Sequence, residues 1–292
     1  MALSFLISDF IQQQVTLQTQ LMMYALVAVP SLLGVIASWP HALRASPERI
    51  SQGEQKPINP GIRPILIKAE LSKRTSEIDL LQNGSILALT ELARLRDNES
   101  GNHLRRTEEY VRILATHLQR QSSYADHLDK TTIKLMAQSA PLHDIGKVGI
   151  PDRVLLKPGR LTADEWVIMK THAALGEAVL QSIENNANEP LPFLIYAKQI
   201  ARHHHEKWDG SGYPDRLSGE SIPLAARLMA VADVFDALIS RRVYKPSWSH
   251  QAALDAIIDG SGQHFDPKIV EAMQSCFEEC AYVAAHYSEP AP

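Results

Sequence analysis

Residues 224–238 read LAARLMAVADVFDAL. Leu228, Val231, Phe235 and Leu238 recur at intervals of three and four, the period of an α-helix buried along one side. Asp233 stands inside this run, between Ala232 and Val234 and close to Met229 and Phe235. A carboxylate there is costly to bury unless cations accompany it. The stretch therefore predicts an interior helix that carries one charge in need of a reason.

The same period extends outward. Ile86, Leu87, Leu89, Leu92 and Leu95 recur at helical spacing. Thr162-Ala-Asp-Glu165, after the Pro158-Gly159 turn, has the form of a capping box that opens a helix. Asp266-Pro267 offers an N-cap followed by proline at the first helical position. No run alternates apolar and polar residues over strand length, so the expected fold class is all-α.

Of the 292 residues, 45% are apolar and 21% charged, with only 14 Gly and 17 Pro, which excludes wholesale disorder and fibrous or collagen-like chains. Lys and Arg number 29 against 33 Asp and Glu, so the dominant basic field of a DNA-binding protein is absent. The cysteines, Cys276 and Cys280, cannot build a disulfide framework and are expected to pack in the last helix.

The N-terminal part differs in kind. No charged residue occurs from Phe10 to Leu43, and Leu21 to Trp39 (LMMYALVAVPSLLGVIASW) is almost wholly apolar. A helix of that length spans about 28 Å, against ~30 Å for a hydrocarbon core. Tyr24 and Trp39 fall near its ends, where amphipathic rings settle. The expected segments are a terminal stretch 1–20, a transmembrane helix 21–40, a linker 41–64, a connecting helix 65–82 and a helical domain 83–292. A buried or docked N-terminal helix is the alternative. A cleaved signal peptide is disfavoured, because no Lys or Arg precedes Arg44. Arg44, Arg49, Lys56 and Arg63 follow the helix, and the positive-inside rule then places the rest of the chain in the cytoplasm of a single-pass inner-membrane protein. In the connecting helix, Ile67, Leu71, Ile78 and Leu81 have heptad-like spacing suited to pairing with a second copy or to linking anchor and domain. Asn83-Gly84 is expected to end that helix, with Ser85 capping the next.

Several polar residues are hard to assign to either surface or core. His143-Asp144 precedes Gly146, read as a helix stop, and Lys147 follows within a turn. Adjacent imidazole and carboxylate suit a bridged metal centre, though the pair alone is a weak signal. Glu99 and His103, at i and i+4, share a helix face and alone read better as a surface pair. His172 alone would be a partly exposed histidine. His203-His204-His205 is a run that a packed core rarely accepts. In chain order these groups supply mixed imidazole and carboxylate ligands, a set that fits Fe or Mn as well as Zn.

Five stretches carry a resemblance: RDNESGNHLRR (96–106), HDIGKVGIPDRVLLKPGRLT (143–162), HHEKWDGSGYP (204–214), VADVFDALISRRVYK (231–245) and GQHFDP (262–267). Residues from about 85 to 285 resemble the HD-GYP phosphodiesterases, a subgroup of the HD-domain metal-dependent phosphohydrolases. The resemblance implies an HD-type helical bundle that holds two or three divalent ions, Fe or Mn foremost, and hydrolyses cyclic di-GMP to pGpG or GMP. The ligands it implies are Glu99, His103, His143, Asp144, His172, His204, His205 and Asp233, with Glu99 and His103 associated with a third ion. It leaves His203 as a neighbour.

The implied chemistry makes Asp144 the bridging carboxylate, with Lys147 either stabilising charge on a non-bridging phosphoryl oxygen or orienting the nucleophile. Asp97 reads either as a proton acceptor behind the metals or as a surface carboxylate. Arg242 and Lys245 form the local cation cluster that an acidic chain needs for phosphates; the alternative is a solvated basic turn. Tyr213, in the Gly210–Pro214 loop, stacks on guanine or pins the loop. A Rossmann-type glycine loop is rejected because no strand precedes it. The resemblance also links this loop to diguanylate cyclase domains. Beside the cyclic di-GMP enzyme stand two other readings. One is a hydrolase of another cyclic dinucleotide or a nucleotide, and the other is an adaptor that binds without turnover. The complete ligand set with Lys147 favours the enzyme.

Overall fold

A computed structural model describes residues 63–94, 96, 101–121, 124–187, 190–240 and 247–288. The expected anchor at 21–40, Asp97, Glu99, Arg242 and Lys245 lie outside them. The chain divides into two compact units, Met1–Leu71 and Ser72–Pro292. Of the first, only the opening turns of helix α1 are described.

The described residues form α1 (Arg63–Arg94), α2 (Gly101–Gln119), α3 (Lys130–Ser139), α4 (Asp152–Leu155), α5 (Ala163–Lys170), α6 (His172–Asn186), α7 (Pro192–His203), α8 (Leu224–Ile239), α9 (His250–Asp259), α10 (Pro267–Ser275) and α11 (Phe277–His286). Strand-like pairing among them is limited to one isolated bridge, Ser261 to Phe265. The fold is all-helical, as the periodicity predicts. None of these helices is long and apolar enough to cross a membrane.

Local chemistry sets the ends that matter. The Thr162 hydroxyl accepts from the Glu165 amide, while the Glu165 carboxylate accepts from the Thr162 amide, so the capping box opens α5. Asp266 caps α10 ahead of Pro267. The same Asp266 pairs with Arg227 of α8 at 2.5 Å, and this ties the GQHFDP segment to the central helix.

Two apolar cores position the site. The larger gathers Tyr110, Leu114 and Leu118 of α2, Leu228, Val231 and Phe235 of α8, and residues of α3 and α9–α11. The smaller joins Ile86 of α1, Leu142, Ile145, Leu180 of α6, and Ala197 and Ala201 of α7. Helix α7 lies between them, with Ile200 in the first core and Ala197 and Ala201 in the second. Its C-terminal end, which carries the histidine run, is thereby fixed from both sides.

Two local expectations are corrected. α1 runs unbroken through Asn83-Gly84, and Ser85 hydrogen-bonds back to the Leu81 carbonyl (2.9 Å) inside the helix instead of capping a new one. An internal glycine costs about 1 kcal/mol of helix propensity. Burial of Ile86 in the smaller core and a hydrogen bond from Gln138 to Asn83 (2.8 Å) outweigh that. The heptad-like residues Ile67, Leu71, Ile78 and Leu81 are each at least 60% exposed.

Gly146 is the second correction. It lies inside a short 3-10 segment, Ile145–Gly149, and does not stop an α-helix. A Cβ there would sit 2.0 Å from the His172 carbonyl oxygen and 2.4 Å from the Gly176 nitrogen. Glycine is required because two backbones touch, which brings the His143-Asp144 turn against α6. Gly146→Ala is expected to destabilise the fold by at least ~1–3 kcal/mol, read as a lower urea midpoint, since neither obstructing group is a movable side chain.

Candidate metal centre

Five separate pieces of chain deliver side chains to one place. His103 comes from the first turn of α2, and His143 and Asp144 from the turn between two 3-10 segments. His172 opens α6, His204 and His205 follow the end of α7, and Asp233 projects from the middle of α8. Their ligand-type atoms fall into two groups, Asp144 with His172, His204 and His205, and His103 with His143 and Asp233, each within 4.8 Å of one another.

Asp144 links the groups. Its Oδ1 lies 3.2 Å from His172 Nε2 and 3.8 Å from His204 Nε2, whereas its Oδ2 lies 3.2 Å from His143 Nε2 and 2.8 Å from Lys147 Nζ. On the other side, His103 Nε2 is 3.4 Å from His143 Nε2 and 3.8 Å from Asp233 Oδ1. One carboxylate thus presents one oxygen to each group.

The far side of each ring explains why the near side is a lone pair. His143, His172 and His204 donate Nδ1–H to the carbonyls of Ala140 (3.0 Å), Met169 (2.8 Å) and Ile200 (2.9 Å). A carbonyl only accepts, so Nδ1 carries the hydrogen, and Nε2 is the nitrogen left to face the cluster. Each acceptor is a helical or near-helical carbonyl three or four residues back, so the local fold itself sets the tautomer. His103 donates instead to Asp236 Oδ2 at 2.8 Å. Rings held this way are oriented for metal ligation.

Electrostatics act in the same direction. Burial pushes the His205 imidazole down to about 3 and His204 well below its ordinary range, with the neighbouring imidazoles adding to the shift. Both are neutral near pH 7, the form that ligates. Burial opposes the Asp144 charge, but Lys147 and the imidazoles of His143 and His172 hold its carboxyl well below the usual carboxylate range. Asp144 Oδ1, His172 Nε2 and His204 Nε2 are buried without any hydrogen-bond partner. Orphaned buried acceptors are rare, and three aimed together are what a cation would satisfy. The residues present fit a divalent metal.

Three further observations place the remaining expected residues. His203 turns from the cluster to Asp215, at 3.0 Å. Tyr213 lies against the cluster, its ring 4.8 Å from that of His205. Arg202 grips Asp215 through two hydrogen bonds of 2.7 and 2.9 Å, and Glu206 accepts from the Asp215 amide at 2.7 Å, so the 209–215 loop is held from three residues. A Cβ on Gly212 would sit 2.4 Å from the Lys207 nitrogen, which makes glycine necessary to fold that loop back on itself.

Sequence reasoning missed Asp236 and Arg106. Arg106 clasps Asp236 through Nε to Oδ1 (2.6 Å) and Nη2 to Oδ2 (2.8 Å), while the same carboxylate receives His103. The available signal was spacing: Asp236 is one helical turn beyond Asp233, and Arg106 one turn beyond His103.

Comparison with known proteins places these features. A model of the HD domain matches residues 88–269. A cyclic di-GMP phosphodiesterase of Vibrio cholerae is 50% identical over 221 residues, which cover 76% of this chain and 45% of that protein. A probable cyclic di-GMP phosphodiesterase of the same organism is 51% identical over 206 residues, covering 70% and 47%. A 3'3'-cGAMP-specific phosphodiesterase, also of Vibrio cholerae, is 39% identical over 215 residues, covering 73% and 38%. The chain thus spans less than half the length of each of these relatives. With the matched region containing every histidine and aspartate of the cluster, the chain belongs to the HD-domain family.

Proposed function

We propose that this chain is a metal-dependent phosphodiesterase that hydrolyses cyclic di-GMP to pGpG, GMP or both. The observation that carries the reading is Asp144, whose two oxygens face two imidazole groups, its Oδ1 buried without a hydrogen-bond partner beside the equally orphaned Nε2 atoms of His172 and His204. The names of the two relatives near 50% identity support the substrate, and the name of the third makes another cyclic dinucleotide the second reading.

In this reading His103, His143 and Asp233 would hold one divalent ion and His172, His204 and His205 another, with Asp144 the carboxylate that would serve both. Fe and Mn suit the ligands, and Glu99 with His103 would serve a third ion. Bound there, divalent ions supply Lewis-acid polarisation of the phosphoryl group and lower the pKa of the attacking water. The chain's own groups do the rest. Lys147, held 2.8 Å from Asp144, places an ammonium where charge grows on a non-bridging oxygen. Hydrolysis joins water oxygen to phosphorus and breaks the P–O3′ bond, with a proton passing to the leaving oxygen. Asp97 is the proposed acceptor of the water's proton, and Arg242 and Lys245 the proposed phosphate contacts. Tyr213, its ring tilted by 31° against that of His205, is the proposed contact for a base.

Incubating purified protein with Mn(II) or Fe(II) and cyclic di-GMP, then separating the products, tests the activity. Tight binding without turnover would make the chain an adaptor. The apolar, uncharged run Leu21–Trp39 and its basic flank support a single-pass inner-membrane anchor. Full recovery in a soluble fraction without detergent would refute that part. The exposed Ile78 and Leu81 support pairing with a second copy, and the 209–215 loop is the proposed contact for diguanylate cyclase domains.

A further inference from the structure

Helix α5 has none of its residues buried, although Trp166, Val167, Ile168 and Met169 follow one another in it. Its sequence, ADEWVIMK, exposes Trp166 at 49% and Val167 at 61%. Burial of an apolar face normally fixes a helix, and here other contacts do so. The capping box closes its N-terminus, and Lys157 pairs with Glu165 at 2.5 Å. At the other end the Met169 carbonyl accepts the Nδ1–H of His172 (2.8 Å), a member of the Asp144 group. The helix is therefore tied at both ends beside the cluster, with the Trp166 ring half exposed to solvent.

What lies along that surface is ordered. Tyr213 sits against His205, and the Lys170 ammonium stands over the Tyr213 ring, 5.8 Å from its centre. Trp166 is four residues before Lys170 in the same helix, hence a neighbour on one face. The phenol thus stands next to the ammonium, and the i, i+4 spacing puts the indole one helical turn from that ammonium. A half-exposed indole one turn from an ammonium matches guanine: its face stacks on an aromatic ring, and its O6 and N7 both accept from a cation. Adenine presents an N6 amino donor on the same edge, which an ammonium does not favour.

We propose that Trp166 and Lys170 form a guanine subsite, with the base stacked on the indole and its O6/N7 edge on the ammonium, so that this helix sets base preference. The inference rests on the cyclic-dinucleotide reading above and names residues that read the base. The comparator is cyclic di-AMP, because cyclic GMP-AMP can still present its guanine.

The experiment measures equilibrium binding of non-hydrolysable phosphorothioate analogues of cyclic di-GMP and cyclic di-AMP to the metal-loaded protein, together with kcat/KM for the parent compounds. Lys170→Met is expected to lower the preference for guanine by ~10-fold or more, and Lys170→Arg to retain it, since both cations can donate to O6 and N7. Trp166→Ala is expected to weaken both ligands together by about 10-fold, and Trp166→Phe to restore most of the loss. A preference that does not move in Lys170→Met, in protein with wild-type metal content and helicity, overturns the subsite alone. A wild-type protein that binds neither dinucleotide removes the phosphodiesterase reading and the subsite with it.

Discussion

Asp144→Asn is expected to strip divalent metal from the purified protein and to lower turnover of cyclic di-GMP by more than ~100-fold, beyond the 10–100-fold that loss of an outer partner of a metal ligand typically costs. Two features of this carboxylate set the size of the effect. Its oxygens lie 3.2 Å from His172 Nε2 on one side and 3.2 Å from His143 Nε2 on the other, so one carboxylate presents an anionic oxygen to each imidazole group. It is also the anion that balances Lys147 and whatever cations enter. Asparagine keeps the shape but replaces one acceptor oxygen with an NH₂ donor, which points hydrogens at an imidazole lone pair or at the Lys147 ammonium. Both consequences expel cations. Metal content measured on protein purified without oxygen, alongside turnover and helical circular dichroism, checks the result. Full metal occupancy, or substantial activity with the fold intact, would rule out Asp144 as the group that joins the two halves of the centre.

The parts of this site that were legible in the sequence are those where a polar group violates its surroundings. Asp233 in an apolar helix, consecutive imidazoles at 203–205 and the His143-Asp144 pair announce themselves without knowledge of the fold. Short-range signals were legible for a similar reason: the capping box at Thr162 and the Asp266-Pro267 start are decided within four residues. What was not legible depends on contacts that spacing does not encode. Gly146 reads as a helix stop until α6 is brought against it, and Asn83-Gly84 reads as a break until Ile86 is buried. His203 looks the same as His204 and His205 in sequence, yet it serves Asp215 because the end of α7 turns its ring outward. Asp97, Glu99, Arg242, Lys245 and the apolar stretch 21–39 fall outside the described residues, and their roles rest on sequence.

The pairing of Arg106 with Asp236, across 130 residues, leads to the largest expected loss of stability. Arg106 is 4% exposed and Asp236 1%, so removing either partner leaves a charge buried without its counterion. Arg106→Ala or Asp236→Ala is expected to cost about 3–5 kcal/mol, measured by urea unfolding with metal chelated so that ligand linkage does not mask the change. Replacing both at once with apolar side chains of similar volume, Arg106→Met with Asp236→Leu, is expected to recover most of that loss, because an unpaired buried charge and not a missing attraction causes it. The double variant separates stability from the centre itself. His103 would still lack the carboxylate that fixes its Nδ1–H, so its ring would be free to turn and metal affinity would stay 10–100-fold weaker despite the restored fold. If the double variant regained metal as well as stability, Asp236 would be a packing element that merely touches His103. If it regained stability alone, the buried pair would be a support for the imidazole, with Arg106 holding the carboxylate that holds the ring.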